Sequence, residues 1–161
     1  METQAQPEID SEALYELLKH ARRAAEFAYA PYSDFPVGAA VLAADGSVFP
    51  GCNVENASIG LTICAEQSAM SAAVSGGHHE IVAVAVSALK SPGTTPCGAC
   101  RQFLNEFRPQ SSDITVVLDD GSSGNVVWLA NLLPLAFGPR NLDSAIEEAI
   151  LATETIRDDG R

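Results

Sequence analysis

Four residues of this 161-residue chain are equipped for chemistry: Cys64 and Glu66 in LTICAEQSAM (61–70), and Cys97 and Cys100 in TPCGACRQ. Cys97 and Cys100 are three apart, so in the first turn of a helix their side chains project from one face. Pro96 suits that entry, because proline is tolerated where helical N–H groups have no partner. Those N–H groups and the helix dipole favour negative charge and hence thiolate. Cys64 meets the same conditions if the preceding GLTI enters a helix there. Three thiolates at two helix starts leave a fourth tetrahedral position on zinc open, the catalytic arrangement. Glu66 is the discriminating residue. A carboxylate beside the metal but not bound to it can take a proton from metal-bound water, whose pKa falls to roughly 7. Two residues along a helix stand about 200° apart, so Cys64 and Glu66 cannot share a helical face. Cys64 must therefore occupy the cap or first position.

Three other readings compete. Cys52 as a fourth ligand would close the zinc site and make it structural, which leaves Glu66 without a role. A redox dithiol at Cys97 and Cys100 fits a helix-starting CxxC but leaves Cys64 and Glu66 unexplained. All four cysteines could be small core hydrophobes, the expectation for Cys52 itself.

These residues must be positioned by a modest fold. The chain is 47% hydrophobic, enough for one well-packed domain over 1–161, with 1–10 and about 141–161 as peripheral tails. It shows no secretion-signal pattern and no membrane-length apolar run, and a soluble cytoplasmic protein is expected. With 9 Lys plus Arg against 21 Asp plus Glu, the net charge of −12 repels phosphate backbones and anionic lipid. Nucleic acid and membranes are disfavoured as partners; a small or neutral substrate is not.

Leu14, Leu17, Leu18, Ala21, Ala25 and Ala28 follow a helical period from Ser11. YAPYSDFP, with two prolines, breaks it into an aromatic loop. The stretch from VGAAVLAADG to CNVEN reads as two strands joined at Asp45-Gly46. CAEQSAMSAAVSGG suits an alanine-rich helix, and EIVAVAVSA a strand buried on both faces. CGACRQFLNEF is helical, DITVVLDD and VVW are strands, LANLLPLAF is a helical turn stopped by Pro134, and 142–156 has helical spacing again. The order implies a layered α/β domain with one mixed sheet.

NVENASIGLTICAEQSA followed by TPCGACRQFLNEF resembles the small homotetrameric zinc cytidine deaminases, and YAPYSDFPVGAAVLAADG and NLLPLAFGP extend the match over most of 13–140. The resemblance implies a three-layer α/β/α fold with a mixed five-stranded sheet. It implies one zinc per subunit on Cys64, Cys97 and Cys100, with Glu66 moving protons, as the non-ligand glutamate of zinc deaminases does. Asn53 and Glu55 would hold ribose hydroxyls, Ala65 would offer its N–H to the pyrimidine carbonyl, Phe35 would flank the nucleoside, and Phe137 would reach in from a neighbouring subunit to stack on the base. The implied reaction is hydrolysis of cytidine and 2′-deoxycytidine to uridine and 2′-deoxyuridine plus ammonia, at sites formed between subunits of a homotetramer. Cys64 stands where polynucleotide and nucleotide deaminases have histidine, which favours free nucleosides.

Two positions depart from the family's pattern. Gln67 stands where arginine is common, so the negative charge of three thiolates is left to the helix starts and Arg101 to offset. Ile59 replaces an aromatic, leaving space near the pocket or an adjoining subunit. Together they raise tolerance for bulkier C4 or N4 substituents as an expectation. A blasticidin-type antibiotic deaminase and a non-catalytic, zinc-stapled nucleoside binder are the alternative functions.

Overall fold

The computed structural model describes residues 9–142. The polar start at 1–8 and the helical spacing from 143 onward lie outside the described residues.

Helix α1, Ser11–Ala25, is capped by Asp10, whose carboxylate accepts from the Glu12 N–H; Glu12 lies in the first turn and Arg22 and Arg23 in the last, in accord with the dipole. Strands β1, Val37–Ala43, and β2, Val48–Cys52, form the expected antiparallel hairpin, closed where the Ser47 N–H donates to Asp45 Oδ1. Helix α2, Ala65–Ser75, leads to β3, Ile81–Ala88. Helix α3, Gly98–Glu106, crosses to β4, Thr115–Leu118, which pairs parallel with β3. Strand β5, Asn125–Trp128, runs antiparallel to β4 and passes into the short α4, Leu129–Leu132. The sheet order β2-β1-β3-β4-β5 is the mixed sheet that the element order implied, with the five strands that the resemblance implied.

Strand alternation distributes apolar residues to two faces. Ala40, Ala83, Ala85 and Val117 pack with Leu17, Leu18 and Ala21 of α1. Ala39, Val41, Val84, Val86 and Val116 pack with Ala65, Ala69, Met70 and Ala73 of α2 and Leu104 of α3. Helices thus cover both faces of the sheet.

Two glycines determine how closely those helices lie. A Cβ on Gly38 would overlap the Ala21 carbonyl and Ala25 amide of α1, and one on Gly51 would overlap the Ala69 amide of α2. The alanines noted as helix formers therefore also serve contact, since only small residues let backbones meet this closely. Helix α2, which begins beside Cys64, is seated directly on the β2 backbone.

Asp119, just beyond β4, ties α1 to the sheet. It takes a bidentate pair from Arg22, 2.9 Å from Nε and 2.6 Å from Nη2, together with the Ser87 hydroxyl at 2.7 Å and the Gly121 N–H at 2.9 Å. The Arg22 guanidinium, with Ser87 and Gly121 adding to it, outweighs burial and holds the Asp119 carboxyl at about 2, below its ordinary 3.8. A depressed carboxyl stabilises the fold in full above its unfolded value and loses that contribution as pH falls through the folded one. The pair should contribute about 1–2 kcal/mol above pH 4 after allowance for solvent screening, lost between pH 4 and 2. Urea midpoints of the parent and Asp119→Asn should differ at pH 6 and converge toward pH 2; a constant difference would contradict the assignment.

Candidate metal centre and active site

Cys64 and Cys97 are both helix N-caps. Each has extended backbone, φ −72° and ψ 154° at Cys64 and φ −68° and ψ 167° at Cys97, and neither side chain caps its own helix by a hydrogen bond. Cys64 thus has the cap position that its two-residue spacing from Glu66 required. Cys100 lies in the first turn of α3 and is fully buried. The sulfurs of Cys64, Cys97 and Cys100 lie within 4.8 Å of one another. Three sulfurs around tetrahedral zinc, at Zn–S of about 2.3 Å, stand roughly 3.8 Å apart, so the donor set fits zinc with a small contraction.

Cys52 is absent from that cluster. Its thiol donates to the Phe27 carbonyl at 3.5 Å, and it lines a groove with His20, Arg23, Phe27 and Pro50 between α1 and the edge strand β2. The four-thiol closed site is thereby removed. Cys52 is also half-buried, not the core residue expected, because β2 is an edge strand with one side open to that groove.

Glu66 begins the path into the core, 5% exposed at the second residue of α2. Burial pushes its carboxyl up from the ordinary range, with its own backbone and the Cys100 thiol opposing only in part. Burial also raises the Cys64 and Cys100 thiols, and the neighbouring thiols and Glu66 act on both. Cys97 behaves differently: burial opposes ionisation, but the N–H groups of Cys100 and Ala99 and the Cys100 thiol bring it below its ordinary value. The expectation that helix starts alone favour thiolate therefore holds for Cys97 and not for the other two. Crowding three thiols and a carboxyl out of water costs more than the N–H groups return, and a cation is what such a cluster requires.

The segment after β2 brings Asn53 and Glu55 to the same end of the sheet. Val54 bridges to Tyr29 on one side and to Ile63, next to Cys64, on the other. Asn53 Oδ1 accepts from the Val37 N–H at 2.9 Å and its Nδ2 donates to the Phe35 carbonyl at 3.0 Å. Glu55 Oε2 accepts from the Tyr32 and Ser33 N–H groups at 2.8 and 3.2 Å. The Ser33 hydroxyl and these two N–H groups, against a small opposing effect of burial, keep the Glu55 carboxyl below its usual range. Both side chains thus order the aromatic loop, and each keeps a second polar valence for a ligand. Asp34, at φ 52°, turns the chain so that half-buried Phe35 follows. Ala65 is fully buried as the first residue of α2. Phe137 is 61% exposed, while its carbonyl accepts from Gln102 Nε2 and Asn105 Nδ2 of α3.

A family model described as the cytidine and deoxycytidylate deaminase zinc-binding region matches residues 11–116, two thirds of the chain and the span that contains all three clustered thiols and Glu66. The chain belongs to this deaminase family. The cytidine deaminase of Sporosarcina psychrophila is 42% identical over 82% of this chain and 96% of its own length, and that of Halalkalibacterium halodurans 44% identical over 79% and 96%. The crystal structure of cytidine deaminase from Burkholderia pseudomallei superimposes with a TM-score of 0.70 at 44% identity, covering 76% of this chain and 98% of that one. Zinc, the metal named for the family, is also the metal that the three-thiol donor set suits. Within this deaminase Gln67 is half-buried and its side chain makes no hydrogen bond among the described residues, so it does not serve the sulfurs as a donor. Ile59 is 81% exposed on a 3-10 turn, at the surface of the chain.

Sequence reasoning passed over the small-residue contact at Gly51 and the double use of Asn53. The first had a signal, a glycine in a strand facing alanines four apart in a helix. The second had none, because the bonds join positions 16 and 18 residues apart.

Proposed function

We propose that this protein hydrolyses cytidine and 2′-deoxycytidine to uridine and 2′-deoxyuridine, releasing ammonia. The observation that carries the reading is a buried carboxyl, Glu66, two residues from a three-thiol cluster built on two helix starts. Zinc on Cys64, Cys97 and Cys100 would supply the Lewis acidity that makes water a nucleophile near neutral pH. Glu66 takes the proton of the attacking water, gives it to N3 of the base, and then moves a proton to the departing amine at C4. The raised carboxyl of Glu66 suits a group that must both accept and return a proton. The Ala65 N–H, at the start of α2 and without a backbone acceptor among the described residues, serves the pyrimidine carbonyl. The remaining valences of Asn53 and Glu55 receive ribose hydroxyls, with Phe35 against the nucleoside.

Phe137 completes the site from a neighbouring copy in a homotetramer. Its exposure supports this, as does a set of exposed apolar side chains, Phe27, Tyr29, Ile59 and Leu61, on a chain otherwise strongly acidic. No described helix is long and apolar enough to cross a membrane, and cysteines that would serve zinc and not disulfides suit the reducing cytoplasm.

Zinc-loaded protein mixed with cytidine, deoxycytidine, an N4-substituted cytidine and a blasticidin-type antibiotic tests the reading by loss of nucleoside absorbance, with a chelator control. Turnover of the first two is expected, and of the third if Gln67, and Ile59 against an adjoining subunit, leave the site room for it. Turnover of the antibiotic alone, or of nothing, would overturn it. An elution volume matching a monomer would remove Phe137 from its place.

A further inference from the structure

We propose that Arg101 is a positioning residue that ties the loop carrying the zinc ligands to the segment carrying Phe137, so that grip on the metal and placement of that aromatic are set together. The part concerning Phe137 rests on the deaminase reading above.

Arg101 follows Cys100 directly, and its fork spreads over three acceptors. Nε donates to the Pro96 carbonyl at 2.7 Å, Nη2 to Thr95 Oγ1 at 2.9 Å and Nη1 to the Leu132 carbonyl at 2.8 Å. Its own N–H donates to the Cys97 carbonyl at 3.0 Å. The residues immediately before Cys97 are therefore laced to the helix that presents Cys100. The third arm leaves the metal loop altogether and holds the end of α4, where the chain departs toward Phe137. Gln102 and Asn105, on the same helix, hold the Phe137 carbonyl itself at 2.9 and 3.1 Å. Helix α3 thus grips both ends of the 132–137 segment and, at its own start, two of the three thiols.

The partners are unusual for a cation in this chain. Acids outnumber bases 21 to 9, and Lys19, Arg22, Lys90 and Arg108 each find a carboxylate. Arg101 has none among the described residues; all three acceptors are neutral. Its charge is left uncancelled on the residue next to a zinc-ligand cysteine, while Gln67, the residue after Glu66, adds no charge. A lysine would keep that charge but cannot reach three acceptors lying in different directions, because the ammonium lacks the planar fork.

The test uses zinc-loaded protein with Arg101→Met, Arg101→Lys and Gln102→Ala, each checked by circular dichroism to be folded at the assay temperature. Two quantities are read: the rate at which zinc passes to a chromophoric chelator, and KM against kcat for cytidine. Arg101→Met and Arg101→Lys should both release zinc roughly 10-fold faster or more, the scale of partners that orient metal ligands, and both should raise KM. Gln102→Ala, which removes a side chain whose one hydrogen bond among the described residues goes to the Phe137 carbonyl, should raise KM and leave zinc release alone. Unchanged release in Arg101→Met overturns the proposal, as does normal release in Arg101→Lys, which would make charge alone sufficient. If Arg101→Met does not fold, Thr95→Val removes one arm without altering α3; faster release supports the proposal and unchanged release overturns it. The chelator measurement needs no nucleoside, so failure of the cytidine reading and failure of the clamp are separate results.

Discussion

Glu66→Gln should lower cytidine turnover by about 10³-fold or more while zinc content and melting temperature stay at the parent's values. The substitution keeps the size of the side chain and removes only its capacity to accept and return a proton. General acid–base catalysis contributes roughly 10²–10⁴-fold for one group, and under the proposed mechanism a single carboxyl would serve the water, N3 and the leaving amine, which places the loss at the upper end. Stability should not suffer, because the Glu66 carboxyl is buried and its pKa is already raised; a neutral amide costs no more to bury than an anion. Retention of more than about a tenth of parental turnover would remove Glu66 from this role. Zinc measured per chain in the same samples separates lost chemistry from lost metal.

The second large effect falls on the metal. Cys100→Ala should reduce zinc affinity by well over about 100-fold, since even partners that merely orient a ligand cost 10–100-fold. Cys52→Ala, outside the cluster, should retain zinc at the parental level. Zinc per chain after dialysis against a chelator checks both, and either full retention in Cys100→Ala or loss in Cys52→Ala would sink the three-thiol site. The melting temperature of Cys100→Ala should fall as well. Cys64 and Cys97 are N-caps that make no capping bond, so the first N–H groups of α2 and α3 depend on negative sulfur for compensation. Without the metal, burial keeps Cys64 protonated and that compensation is reduced at α2. Binding free energy is in this way folding free energy for the start of that helix.

Much of this was readable in residue order because the relevant signals are local. The period of Leu14, Leu17, Leu18 and Ala21 marked α1, the Asp45-Gly46 turn marked the hairpin, and the unbroken apolar run at 81–86 marked the central strand. The site was legible for a related reason: Cys64, Glu66, Cys97 and Cys100 sit within one turn of two helix starts, so short spacings carry most of their geometry. What escaped was long in sequence. Arg22 meets Asp119 across 97 positions and Arg101 meets Leu132 across 31, and no periodicity reports such pairs. Titration behaviour escaped too. The helix-start argument weighs only the N–H groups, whereas burial, with the neighbouring thiols and Glu66 acting beside it, decides the outcome for Cys64 and Cys100.

The seat of α2 on Gly51 bears on how this protein can change over time. Between most helices and strands, side chains act as shims: a methyl added on one side is absorbed by a rotamer on the other. Here backbone rests on backbone, with Ala65 and Ala69 against a residue that has no side chain, and there is nothing to trim. Drift at Gly51 would be transmitted undiminished to the start of α2, displacing Cys64 and Glu66 together against Cys97 and Cys100. The catalytic end of the molecule is consequently calibrated by an absent atom in a strand, far in kind from any residue that touches the chemistry.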